Sequence, residues 1–243
     1  MSFFVTDMAA KRAEISPEQL AFRDFNSGSV FTFADVNELA EGMRDGLTGL
    51  GLRHGDRIAI LCHNRVEFFI AMFACQKGGF ILTPLNWRQP VAEMYPVVEM
   101  TAPRAIIYDS ELAQTAKSLG EKYPMRRICL DDDATADIRF DEFGKSVSSE
   151  QRRIDGKMPW YLLFTSGTTG NPKAVIQTAE MAWANTVNIG QAIGLTAQDT
   201  SVNYLPLFHT AGINLHTLPV FLTGGLSHIL PKFQPADLFT LIS

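Results

Sequence analysis

The sequence predicts an α/β fold of layered sheets flanked by helices. Two observations carry that expectation. Strand-like and helix-like segments alternate from residue 35 to residue 130, a pattern that argues for parallel strands with helices on the sheet faces. A further apolar strand, 160–165, then runs straight into a loop of Ser, Thr and Gly that ends in a lysine. The composition suits such a fold. Of 243 residues, 46% are apolar and 19% charged. A chain of this length can withdraw roughly 70% of its unfolded surface from water, as one large domain or two small ones.

Taken in order, residues 35–50 place Val36, Leu39, Ala40, Met43, Leu47 and Leu50 at helical spacing, with Asp35 as N-cap. Residues 57–62 form a buried strand. Asn64 caps a helix over 65–77, which Gly78-Gly79 ends. Residues 80–85 are a second strand, and Pro90 opens a helix reaching Met100. Strand 104–108, helix 110–122 and strand 126–130 follow. The polar, poorly periodic stretch 131–158 is expected to be a long surface connection. It divides the chain into a first half, 1–130, and a second half, 159–243. That second half has strands at 160–165, 174–177, 201–205 and 227–230, a helix over 179–193 and a helix-like segment from Pro235. Trp87, Trp160 and Trp183 are assigned to the core.

The net charge is −5, and no Lys/Arg run offers an electrostatic footprint for nucleic acid. Asp131-Asp132-Asp133, with Asp137 beyond, is expected to be a solvated loop. The three cysteines, Cys62, Cys75 and Cys129, lie far apart with no CxxC, so neither zinc nor a disulfide framework is indicated. Reduced thiols place the chain in the cytoplasm. The N-terminus lacks the pattern of a secretory leader. The richest apolar run, 68–75, is far short of the ~20 residues a membrane span needs.

The loop from Thr165 to Lys173 carries the chemistry. Thr165, Ser166, Thr168 and Thr169 supply hydroxyls. Gly167 and Gly170 let the backbone come close to a ligand. Successive N–H groups in such a loop make an anion-binding concavity, and Lys173 adds a full positive charge. That combination suits the phosphates of ATP. It is not a Walker A sequence, because only Asn171-Pro172 separates Gly170 from Lys173 and Ala174 follows.

Tyr161-Leu162-Leu163-Phe164-Thr165-Ser166-Gly167-Thr168-Thr169-Gly170-Asn171-Pro172-Lys173 resembles the signature loop of the acyl-adenylate-forming (AMP-binding) enzymes. That superfamily includes acyl-CoA synthetases, luciferases and peptide-synthetase adenylation domains. Three further stretches resemble it in the right order: Phe31-Thr32-Phe33-Ala34-Asp35-Val36, the segment from Gln76 to Asn86, and Pro206-Leu207-Phe208-His209-Thr210-Ala211-Gly212. The last has the form typical of acyl-CoA synthetases, which include the fatty-acid–CoA ligases.

The resemblance implies the N-terminal part of the large domain of such an enzyme, acting in fatty acid metabolism. A carboxylic acid would react with Mg2+-bound ATP to give an acyl-adenylate and pyrophosphate, and coenzyme A would then take the acyl group. Thr165, Ser166, Gly167, Thr168, Thr169, Gly170 and Lys173 would bind the ATP phosphates. His209, Thr210 and Gly212 would line the acyl pocket, with residues 211–222 as one wall. Two departures stand out: Ala174 where the family has Gly, and Ala179 after Thr178 where a His often follows. The family's later motifs for magnesium, ribose and the adenylating lysine are not among the 243 residues. The chain is therefore expected to be a portion of a larger ligase, without the C-terminal domain, with no catalytic or metal-ligating residue of its own, and inactive alone. The alternative is a non-catalytic nucleotide-binding or interaction module. A homodimer is compatible with either.

Overall fold

The computed structural model describes residues 3–148, 150, 152–165 and 172–242. The helix Val66–Gly78 is its pillar. This segment, Val-Glu-Phe-Phe-Ile-Ala-Met-Phe-Ala-Cys-Gln-Lys-Gly, is apolar on every side, and its residues from Phe68 to Lys77 are all buried. A helix with no polar face must be enclosed. One side meets a seven-stranded sheet, where Trp160 donates its indole N–H to the Met72 carbonyl at 2.7 Å. Another meets a four-stranded sheet, where Phe69 stacks on Phe22 at 5.0 Å. The helix Phe33–Gly49 covers a third.

The larger sheet runs, in spatial order, Lys173–Thr178, Pro159–Thr165, Ile81–Pro84, Arg57–Leu61, Ala105–Tyr108, Arg126–Cys129 and Ile138–Arg139. Neighbours pair parallel, as the alternation predicts. The exception is Lys173–Thr178, which folds back antiparallel on Pro159–Thr165. Val66–Gly78 packs on one face of this sheet, while Val91–Thr101 and Ala113–Lys122 pack on the other. The smaller sheet runs Thr200–Asn203, Leu226–Ile229, Leu20–Asp24 and Val30–Thr32. Phe4–Thr6 and Arg153–Asp155 form a separate antiparallel pair. No helix among the described residues is long and apolar enough to cross a membrane.

Several local expectations need correction. Helix Phe33–Gly49 is capped by Thr32, whose Oγ1 accepts from the Asp35 N–H. Asp35 sits three residues in and closes the capping box by accepting from the Thr32 N–H at 2.9 Å. Asn64 caps no helix: Val66–Gly78 starts from Arg65 without a side-chain cap. The stretch 131–158 is more than a connection. It adds an edge strand, Ile138–Arg139, and seats Phe143 against Gly46, where a Cβ would lie 2.1 Å from the ring. The aspartates around it are largely engaged. Asp131 accepts from Arg65, Asp133 from the Tyr108 hydroxyl and Asp137 from the Arg127 N–H; only Asp132, paired with Arg139, stands 94% exposed. Trp183 is exposed and Trp87 half-buried, so of the three tryptophans only Trp160 is wholly core.

One buried charge network ties the N-terminal helix, the pillar and the 131–158 stretch together. Lys77 donates to Asp7 at 2.8 Å and to Asn37 at 2.6 Å, and it lies 3.4 Å from Glu41. Arg152 grips both Glu41 oxygens at 2.8 Å, and Arg44 donates to the same carboxylate. Burial alone would push the Glu41 carboxyl up. Hydrogen bonds from Arg152 and Arg44, with the charges of Lys77 and Arg152, outweigh it and hold the pKa down to about 2. A depressed carboxylate contributes stability above its unfolded value of 4.5 and loses it as the pH falls through about 2. Removing one partner of a buried pair strands the others, at a cost of about 3 kcal/mol. Urea denaturation of Glu41→Gln is therefore expected to show a loss of about that size at neutral pH. The gap to wild type should narrow as the pH is lowered from 4.5 toward 2.

Candidate active site

Beyond the carboxyl ends of two adjacent parallel strands, Ile81–Pro84 and Pro159–Thr165, lies a cavity of about 760 Å³. The strands Arg57–Leu61 and Ile81–Pro84 send their following helices to opposite faces of the sheet, which opens a crevice at their carboxyl ends. Leu85 and Asn86 continue the strand into the cavity wall. Met94 and Val97 of helix Val91–Thr101 form its apolar side, and Gln89 and Glu93 its polar side. Phe164 and Thr165 enter from the other strand, Phe208 and His209 from the loop after Thr200–Asn203.

Of the residues expected to bind phosphate, Ser166, Gly167, Thr168, Thr169 and Gly170 lie outside the described residues. The two ends of the loop are described. Thr165 and Lys173 are register partners in the antiparallel pairing of Pro159–Thr165 with Lys173–Thr178. Thr165 borders the cavity, as does Pro172; Lys173 is exposed and is not among the residues bordering it.

His209 borders the same cavity and is exposed. Its N–H donates to the Pro206 carbonyl at 3.1 Å, and its own carbonyl accepts from Gly212 at 3.1 Å. Thr210 is exposed, its hydroxyl accepting from Asn214 at 3.0 Å. Gly212 is buried and is not among the residues bordering the cavity. Its place is a close approach: a Cβ there would lie 2.3 Å from the Pro206 carbonyl oxygen. Asn203 holds the Gly212 carbonyl at 2.9 Å, and Tyr161 donates to Asn214 at 2.7 Å. The 211–222 stretch is largely core. Phe221 stacks with Phe22 at 5.4 Å and packs on Phe33 and Phe73, and Leu218 and Val220 are buried.

The wall from Asn86 to Val97 is missing from the sequence reading. The signal was available: Pro90 marks a helix start directly after an apolar strand, and ligands favour the crevice beyond such strand ends. Arg88 stands near this wall, 5.1 Å over the Trp87 ring and 5.6 Å over Phe208. Behind Trp87 lies His63, ring centroids 4.4 Å apart. Its Nδ1 is 2.9 Å from buried Asp109. That hydrogen bond raises the His63 pKa, against an opposing effect of burial.

The AMP-binding enzyme family matches residues 9–243, and the chain belongs to it. Feruloyl-CoA synthase of an Amycolatopsis species is 27% identical over 96% of this chain and 45% of its own length. Long-chain-fatty-acid–CoA ligase FadD13 of Mycobacterium tuberculosis is 27% identical over 97% and 46%. The chain thus spans about half the length of the curated relatives it matches. O-succinylbenzoate coenzyme A synthetase of Bacillus subtilis, solved in complex with ATP and magnesium ion, shares the fold with a TM-score of 0.82. That match is at 24% identity and covers 99% of this chain and 61% of that one.

Since the Pro206 carbonyl leaves no room for a methyl group at residue 212, Gly212→Ala must spread the loop that carries His209. Overpacking of this kind costs about 1–3 kcal/mol. A loss of that size in urea denaturation is expected, together with a shift in the NMR signals of the His209 ring.

Proposed function

We propose that this chain forms the nucleotide- and acyl-handling portion of an ATP-dependent carboxylate–CoA ligase. The observation that carries the reading is the meeting of Thr165, Pro172 and His209 on one cavity, in a member of the AMP-binding family. The relatives are acid–CoA ligases, and a structural relative was solved with ATP and magnesium.

In this reading residues 165–173 hold the ATP phosphates. The hydroxyls of Thr165, Ser166, Thr168 and Thr169 and the N–H groups of Gly167 and Gly170 donate to phosphoryl oxygens, and the Lys173 ammonium balances their charge. A carboxylate oxygen attacks the α-phosphorus and pyrophosphate leaves. The sulfur of coenzyme A then forms a thioester at the acyl carbon, its proton is released, and AMP leaves. Preorganised donors around the phosphates stabilise charge that grows in the first step. Magnesium enters on the nucleotide, where it offsets phosphate charge.

The acyl group lies in the cavity against Leu85, Met94, Val97 and Phe164, with His209 and Thr210 at its edge and Gly212 shaping their loop. A volume of about 760 Å³ suits a small organic ligand rather than a macromolecule. The three unpaired cysteines fit a cytoplasmic protein. The chain supplies an N-terminal portion of the large domain. Without the family's ribose-binding and lysine motifs, it binds nucleotide but does not form acyl-CoA by itself.

Each charge-assisted hydrogen bond to phosphate contributes about 1.5–3 kcal/mol. Titration calorimetry with MgATP is therefore expected to show binding by the wild-type chain that weakens about tenfold to hundredfold in Lys173→Ala. Equal affinities would refute the assignment of the loop. Acyl-CoA formation by the 243 residues alone would refute the division of labour.

A further inference from the structure

We infer that the dipeptide His63-Asn64 is a positioning device for the His209 loop. It reaches across from the end of the central strand Arg57–Leu61 to fix where His209 stands. The inference rests on the functional reading above for its importance, but its geometry stands alone.

Asn64 is buried, and both ends of its amide group are engaged. Its Nδ2 donates to the Leu205 carbonyl at 2.9 Å and to the Leu230 carbonyl at 3.1 Å. Its Oδ1 accepts from the Leu207 N–H at 3.1 Å. Its own N–H donates to the Pro231 carbonyl at 3.2 Å. One side chain thus holds the backbone on either side of Pro206 and the exit of strand Leu226–Ile229. Leu205 and Leu207 come directly before Phe208-His209. These carbonyls and this N–H lie beyond the ends of their strands, where no ladder partner is at hand, so Asn64 stands in for a missing strand neighbour.

His63 braces the same loop through side chains. Its ring packs on Trp87, and Trp87 meets Phe208 edge-on at 6.3 Å. Asp109 holds the ring by Nδ1 and also accepts from the His63 N–H at 2.7 Å. The Leu112 N–H donates to the other Asp109 oxygen, so the carboxylate is itself fixed. The loop is therefore held from two sides, by its backbone at Leu205 and Leu207 and by the ring of Phe208. Both holds start from adjacent residues in the bend that follows strand Arg57–Leu61.

A side chain that only stabilised the fold would lower protection everywhere when removed. A positioning residue loosens what it holds and leaves the sheet intact. The test is amide hydrogen exchange by NMR on the full 243-residue chain, comparing wild type, Asn64→Ala and His63→Phe, with MgATP affinity measured alongside. In Asn64→Ala the Leu207 amide is expected to exchange about tenfold to hundredfold faster, with a changed His209 ring signal. The amides of Ile58 to Ile60 should keep their wild-type protection. His63→Phe keeps an aromatic ring against Trp87, so the Leu207 amide should stay protected while the Phe208 signals move. MgATP affinity, set by the Lys173 loop, should be unchanged in both variants.

Unchanged exchange at Leu207 in Asn64→Ala would overturn the inference. So would an equal loss of protection at Leu207 and in the central strand, which would make Asn64 a residue of the fold alone. If the wild-type chain binds no MgATP, the functional reading fails, while the exchange result still decides the positioning role.

Discussion

Everything in this molecule accommodates one constraint: helix Val66–Gly78 has no side that tolerates water. Burying a large apolar side chain contributes about 1.5–3 kcal/mol, and this helix carries Phe68, Phe69, Ile70, Met72 and Phe73 in succession. A single sheet could cover only one face of it. The chain therefore builds two sheets and sends strands from both its halves into each. Pro159–Thr165 joins the sheet of Arg57–Leu61, and Leu20–Asp24 joins the sheet of Leu226–Ile229. The site is a by-product of that arrangement. Closing the second sheet against the first brings the His209 loop to the ends of the parallel strands, beside Thr165.

The polar network under the helix follows from the same enclosure. Lys77 lies at its last turn, where water has been excluded, and its charge must be met. Asp7, Glu41 and Asn37 meet it from two other helices, and Arg152 completes the balance from the stretch that looks least structured in sequence. Gln76, one residue earlier, accepts from the Met8 N–H at 3.0 Å. The Gln76-Lys77-Gly78-Gly79 segment of the resemblance is here an anchor for the N-terminal helix.

Periodicity made the parallel core legible, because each strand between 57 and 130 is a short apolar run bounded by turn residues. The helix 179–193 was found to the residue. The three-residue strand Phe4–Thr6 was not legible, since its pairing is set by the distant Arg153–Asp155 rather than by local pattern. Polar residues misled most. Asn64 has the type and position of a helix cap, and only the fold shows that its hydrogen bonds run to residues 141 and 166 positions away. The aspartates at 131–133 lie in a surface loop as expected, but only the fold shows that Arg65 and Tyr108 engage two of them. The antiparallel return of Lys173–Thr178 on Pro159–Thr165 is a matter of register, which composition does not encode.

The pairing of Leu20–Asp24 with Leu226–Ile229 has a consequence for biosynthesis. These strands lie side by side but are separated by about two hundred residues of chain. A ribosome adding roughly 5–20 residues per second leaves the first strand waiting some 10–40 seconds for its neighbour. During that interval the Leu20–Asp24 edge lacks its parallel partner, and the Phe22 ring has Phe69 but not Phe221 against it. The nascent chain therefore carries an open sheet edge until residues 226–229 have been made.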